Sequence, residues 1–286
     1  MAGKANTTVR GRRLRSLLRS LREERGLSIE QVIQESGDEW VGSTLYRWEV
    51  GERIPRKGDL QMLLDVYGIH GEQRQTLLQL AREARRRGWW HKHGDAVPDW
   101  FQGFVGLEGE ASAICAYQSE FIPGLLQTAD YSRAVHKGAL TSLSAEEIED
   151  GVAVRQERQA LMQRPDAPQL WFILNEGAIR RLVGGPEVMK AQLEHLLTMI
   201  DPPRVTAQIL PYHLGAHPGM EGTFTILNFP SPEDSDLVYV EMQTRTHYIE
   251  EADETERYSL VFNHLRATAL GTEQSLATLR AIVGEM

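Results

Sequence analysis

Ser43, Thr44 and Arg47 in STLYRWEVGERIP (43–55) bring two hydroxyls and a guanidinium together within about one helical turn. These groups suit the edges of nucleic-acid bases: a hydroxyl donates or accepts, and the paired N–H groups of arginine match the two acceptors of guanine. Arg53, Arg56 and Lys57 follow at once, and Ser28 opens an earlier helix. Cations and hydroxyls of this kind grip phosphate oxygens beside a groove.

Elsewhere the chemistry is sparse. His213 and His217 are four apart in PYHLGAHPG, but the intervening Gly215 opposes a helix, Pro218 follows, and no third ligand stands near, so no metal is expected. Glu108, Glu176, Glu221 and Glu241 are isolated carboxylates in an acidic stretch. There is no Walker loop, no GxGxxG after a strand, no GxSxG elbow and no HExxH. The expectation is a protein that is not an enzyme, with no catalytic residue and no cofactor.

The elements that must carry Ser43 and its neighbours are legible as helices. Leu14, Leu17, Leu18 and Leu21 form an i, i+3, i+4, i+7 stripe, and Gly26 stops that helix. Ser28 with Gln31 makes a capping-box pattern for a short second helix that buries Ile29, Val32 and Ile33. Ser43 to Val50 is a third, with Leu45 and Trp48 inward and Ser43, Thr44 and Arg47 outward. Leu60, Leu63, Leu64 and Tyr67, then Leu77, Leu80, Ala81 and Ala84, mark a fourth and a fifth. Two short helices joined by a turn, the second carrying the polar readers, is a helix-turn-helix arrangement.

Charge supports a division of labour. Residues 1–93 hold 18 Lys and Arg against 12 Asp and Glu, whereas residues 94–286 hold 13 against 28. A basic head and an acidic body are expected. At 286 residues, 41% of them hydrophobic, the chain is long enough for two cored domains. The single Cys115 excludes an intramolecular disulfide, no apolar run is as long as a membrane span, and the N-terminus is not a secretory signal, so a cytoplasmic, nucleoid-associated protein is expected.

The expected organisation is multi-domain: an all-α five-helix head over 1–87, a tryptophan-rich linker over 88–100, and a larger mixed α/β (α+β) domain over 101–286. In the linker, Trp89, Trp90 and Trp100 are expected to anchor the head, with His91 and His93 solvated. In the larger domain Leu107, Ala111, Ile114 and Cys115 suggest a helix, as do Tyr131, Ala134 and Val135, and Ser144 with Glu147 caps another. LWFIL, VTAQILP, TFTILNF and LVYVEMQ suggest strands, the last two as an antiparallel hairpin. Pro186 opens a helix, Asp253 and Glu256 cap another, and Leu276, Leu279 and Val283 mark the last.

LSIEQVIQESG and STLYRWEVGERIP resemble the five-helix Cro/repressor (XRE) DNA-binding domains over residues 10 to 80. The resemblance implies base reading by Ser43, Thr44 and Arg47, phosphate contacts by Ser28, Arg53, Arg56 and Lys57, and pairing of heads as a homodimer on double-stranded DNA. Ile29 stands where the family often has glutamine, Gly42 where a polar base reader is common, and the 37–43 connection is about two residues longer than usual.

GLEGEASAICAYQSEFIPGLLQTADYSRAV, RQERQ, NEGAIRRLVGG and GMEGTFTILNF resemble the DUF5753 domain that follows XRE heads in actinobacterial regulators described as Scr1-type and antitoxin-like. That resemblance implies a small DUF397-type partner protein, commonly encoded nearby, in systems tied to development and antibiotic production. Pro123, Gly124, Leu125 and Leu126 read either as a turn and core plug or as a partner-binding edge. A body of this size also allows a second reading, a regulator that senses a small-molecule ligand.

Overall fold

Thr8 starts the first helix, its Oγ1 accepting from the Gly11 amide at 3.0 Å. The computed structural model describes residues 8–85, 88–139, 143–243 and 245–286. They divide into two units: residues through Lys92 with Pro98–Glu110, and His93–Val97 with Ala111–Met286.

The first unit contains α1 (Val9–Glu24), α2 (Ile29–Glu35), α3 (Gly42–Glu49), α4 (Lys57–Val66), α5 (Gly71–Ala84) and α6 (Asp99–Glu108). Leu14, Leu18 and Leu21 face the core as the leucine spacing predicts, but Leu17 is exposed, so the buried stripe of α1 is narrower. Leu45, Trp48, Leu60, Leu64 and Tyr67 complete one cluster with them. Trp89 and Trp90 meet edge to face at 6.2 Å, and a Cβ on Gly106 would lie 3.0 Å from the Trp90 ring, so α6 needs its glycine there. Arg10 bonds Glu83 and Glu110, each at 3.1 Å. The Trp100 and His91 side chains lie outside the described part of the structure.

The second unit runs β1 (Ala113–Gln118), α7 (Ala129–Lys137), α8 (Ala145–Arg158), β2 (Gln169–Asn175), α9 (Glu176–Arg180), α10 (Pro186–Met199), β3 (Val205–Leu210), β4 (Phe224–Asn228), β5 (Leu237–Glu241), β6 (Thr246–Ile249), α11 (Ala252–Thr268) and α12 (Thr272–Glu285). The sheet order is β3-β2-β1-β4-β5-β6. β1, β2 and β3 are mutually parallel, and β4, β5 and β6 add antiparallel. The expected β4–β5 hairpin is present. On one face Phe262 and Leu265 of α11 pack against Tyr117, Ile173, Phe224 and Ile226. The alternate residues Ile114, Phe172, Ala207 and Leu227 are buried too, so both faces of the sheet are covered.

One edge of this sheet is closed. Ile209 donates its amide to Ser275 Oγ at 3.0 Å and accepts from the Leu270 amide at 2.9 Å. Leu270 in the turn after α11 and Ser275 in the first turn of α12 therefore occupy the free amide and carbonyl of Ile209 on this edge strand.

Three sequence expectations are corrected. The helix expected through Leu107, Ala111, Ile114 and Cys115 ends at Glu108, and the rest becomes β1. β1 lies inside the sheet, parallel to β2 on one side and antiparallel to β4 on the other, with both faces covered, so polar alternation vanishes and apolar spacing no longer separates strand from helix. α11 starts after Glu251, without a side-chain cap; Asp253 acts there through its charge in the first turn. His93, expected to be solvated, is half-buried with Nε2 2.7 Å from Glu157 Oε2.

Candidate nucleic-acid interface

The interface is built from α2, the turn after it, and α3. Ser28 Oγ accepts from the Gln31 amide at 3.2 Å while Gln31 Oε1 accepts from the Ser28 amide at 2.8 Å, so the capping box forms as read. The Ser28 hydroxyl also donates to the Glu30 carboxylate, so a phosphate oxygen would compete with Glu30 for that proton. α2 ends in a turn through two left-handed residues, Gly37 at φ 74° and Asp38 at φ 59°. Aspartate tolerates that conformation better than most side chains.

The long connection has a purpose. Trp40 is buried, meets Trp48 edge to face at 5.1 Å, and donates Nε1–H to Asp59 Oδ1 at 3.3 Å. The extra residues hold an aromatic wedge that ties α3 to α4. Gly42 is the first residue of α3, so Ser43 lies within the helix and Val41 is the residue before it. A Cβ on Gly42 would meet Ile29 and Ile33 at 3.7 Å. Position 42 thus faces α2, which explains the missing polar reader there and the use of Ile29 as packing.

Behind α3 the head is locked. Leu45 and Trp48 are buried, and Glu49 takes both arms of the Arg22 guanidinium, at 2.7 and 2.8 Å. Their side chains are 14% and 6% exposed for Arg22 and Glu49, which makes this pair structural. The hydrogen bonds to Glu49 hold the Arg22 pKa above its ordinary value. Burial, with Glu49 near, raises that of Tyr67. Gly51 at φ 81° lets the chain turn close to Arg15, whose Nη1–H reaches the Val50 carbonyl at 3.1 Å.

In front of α3 the readers stand free of the core. Ser43 and Arg47 are exposed and Thr44 is half-buried. Arg47 Nε lies 3.5 Å from Glu52 Oε2, an exposed and weak ion pair. Arg53, Arg56 and Lys57 are all exposed on the loop and at the start of α4, and the Arg53 amide donates to the Arg47 carbonyl at 3.2 Å, folding this loop back against α3. Two further exposed side chains were not among the residues picked out from sequence: Val41 and Tyr46, at 66% and 54%. An apolar residue on a short helix reads as core, so only a strict inward count of Leu45 and Trp48 would have revealed them.

The other predicted site is of a different kind. Pro123, Leu125 and Leu126 are buried, and Gly124 is half-buried with a Cβ position 3.2 Å from Arg158 Nη1. Gln192 fastens the block from α10: its Nε2 donates to the Leu126 carbonyl and its Oε1 accepts from the Thr128 amide, both at 2.7 Å. From α8 Arg155 Nη1 reaches Gln127 Oε1, and from the residue capping α8 Gln159 Nε2 reaches the Gln127 carbonyl, both at 2.6 Å. PGLLQT and RQERQ are therefore two halves of one hydrogen-bonded fastening. Burial and nearby Arg158, opposed by Glu241, bring the Arg155 pKa down to about 10.

Around that fastening, four large apolar side chains are exposed on loops at the carboxyl ends of β1, β2 and β3 and before β4. They are Phe121, Leu182, Tyr212 and Met220, 47 to 69% exposed. The loops are braced by Arg181 on Glu120 and by the Tyr212 amide on Glu176 Oε2 at 2.8 Å.

Glu176 follows β2 and Glu241 ends β5, strands separated by two others, about 14 Å at ordinary strand spacing. His213 is exposed and His217 lies edge-on to Tyr117 at 6.0 Å. Among the described residues no group of three or more His, Cys, Asp or Glu is placed to hold a metal, and no helix is long and apolar enough to cross a membrane.

Comparison with known families gives two matches. The model described as "Helix-turn-helix domain" matches residues 13–77. The one described as "Domain of unknown function (DUF5753)" matches residues 101–281. No curated protein and no solved structure matches the chain.

Proposed function

From the chain's membership of the DUF5753 family, and from the helix-turn-helix domain ahead of that match, we infer a DNA-binding transcriptional regulator that recognises a specific double-stranded operator. In this reading Ser43, Thr44 and Arg47 address base edges, while Ser28, Arg53, Arg56 and Lys57 hold phosphates. The observation that carries it is α3 itself, locked from behind by Leu45, Trp48 and the Arg22–Glu49 pair, with hydroxyls and a guanidinium exposed in front. A single short helix reads few base pairs, so the head acts as one half of a homodimer on half-sites about 34 Å apart.

The C-terminal domain, from residue 101 onward, binds a small DUF397-type protein and acts as an antitoxin-like partner. Two features support this. Its acidic excess, 26 Asp and Glu against 13 Lys and Arg over 101–286, repels DNA, and its exposed Phe121, Leu182, Tyr212 and Met220 offer an apolar contact surface. Pro123 to Leu126 form the buried base from which Phe121 projects.

Fluorescence anisotropy of the full-length protein on duplexes tiled across its own upstream region, at several salt concentrations, tests the operator reading. One preferred duplex with salt-weakened affinity is expected; equal affinity for every duplex, alone and with the DUF397-type protein added, contradicts it.

A further inference from the structure

Two exposed apolar side chains stand at the reading helix, Val41 just before it and Tyr46 within it. Val41 is 66% and Tyr46 54% exposed, although Leu45 and Trp48 already fill the core beneath α3. Tyr46 is the i+3 neighbour of Ser43, as Arg47 is its i+4 neighbour, so Tyr46 and Arg47 flank Ser43 on the outer surface of α3, and all three are exposed. Val41 stands at the amino end of α3, the end of a reading helix that approaches base edges. Gly42 between them faces Ile29 and Ile33, so it contributes nothing outward.

In a major groove the apolar group on offer is the 5-methyl of thymine. We propose that α3 reads thymine methyls through Val41 and Tyr46, beside the guanine addressed by Arg47. The inference rests on the operator reading above. Val41 and Arg47 are six residues apart, about 9 Å along a helix, which spans two to three base pairs at about 3.4 Å each. The thymines therefore fall within about three base pairs of that guanine. This gives the head sequence discrimination that its hydroxyls, able to donate or accept at several bases, do not supply.

The test starts by selecting duplexes from a randomised library with the full-length protein. Each thymine of the enriched half-site is then replaced by deoxyuridine, which removes only the methyl. Wild-type protein is expected to lose about fourfold in affinity at the contacted thymines, the worth of one buried methyl group. Val41→Ala and Tyr46→Ala, at exposed positions that leave the fold intact by circular dichroism, are each expected to abolish one of those losses. A flat deoxyuridine scan, or losses unchanged in both variants, overturns the proposal while leaving operator recognition standing. Failure to enrich any sequence overturns both.

Discussion

STLYRWEVGERIP and PGLLQT each combine small, polar and apolar residues at close spacing, yet their hydrogen-bonding groups go to different places. In the first, Glu49 is tied inward to Arg22, and the Arg47 guanidinium is left on the surface beside the half-buried Glu52. In the second, Gln127 receives Arg155 and Gln159 and itself donates to the Ile122 carbonyl at 2.7 Å, while Leu126 receives Gln192. A motif marks a contact surface when its polar groups lack internal partners, and a fastening when they are used up inside. The two blocks should therefore fail differently when altered.

The largest expected effect is in the head. Glu49→Ala leaves the half-buried Arg22 guanidinium with only the Leu27 carbonyl and Glu23 near it, and losing its bidentate partner costs about 2 to 3 kcal/mol. Urea unfolding followed by tryptophan fluorescence should show a head that unfolds earlier, together with lost DNA binding; an unchanged midpoint would make the pair ornamental.

Gln192→Ala tests the body fastening. It strands the Leu126 carbonyl and the Thr128 amide, at about 1 to 3 kcal/mol for each buried group left unpaired. The urea transition of the second unit should move to lower denaturant while the head's DNA affinity holds. Loss of DNA binding with an unchanged transition would reverse the assignment of roles.

A smaller effect is pH-dependent. His136 sits against Gly151 of α8, its Nε2 buried without a partner, and burial with nearby Arg155 pushes its pKa down to about 4 from 6.5. The unfolded chain binds this proton more readily, so stability is fully present above pH 6.5 and falls as pH drops toward 4. His136→Gln should flatten that part of the stability curve, and identical curves for variant and wild type would remove His136 as the cause. The smallest effect is at Glu52, where Glu52→Gln frees Arg47 from a weak exposed pair. About a twofold gain in DNA affinity at low salt is expected, in line with the modest worth of surface ion pairs; a loss would mean that Glu52 orients Arg47 productively.

The head was legible because its helices carry local signals: the Ser28–Gln31 box, the glycine stop at Gly26, and leucines at strict helical spacing. Its turn was less so. Trp40 acts through contacts with Trp48 and Asp59 that no local rule contains, so the longer connection read only as a departure. In the body, β2 to β5 announced themselves by apolar runs between turns. β1 did not, because a central strand buried on both faces loses its alternation, and four-residue β6 is too short for a pattern. The exposed Phe121, Leu182, Tyr212 and Met220 lie in four separate stretches of sequence that the strand order and directions bring to one end of the sheet.

The central claim is that Arg47 discriminates bases while the surrounding cations hold the backbone. Its most direct test is the affinity of wild type and Arg47→Ala for the preferred duplex and a scrambled one, by anisotropy across a salt series. The account predicts that the variant stays folded and loses about 1 to 3 kcal/mol on the preferred duplex, with affinity for the scrambled duplex little changed. An equal loss on both duplexes would make Arg47 another phosphate contact and contradict it.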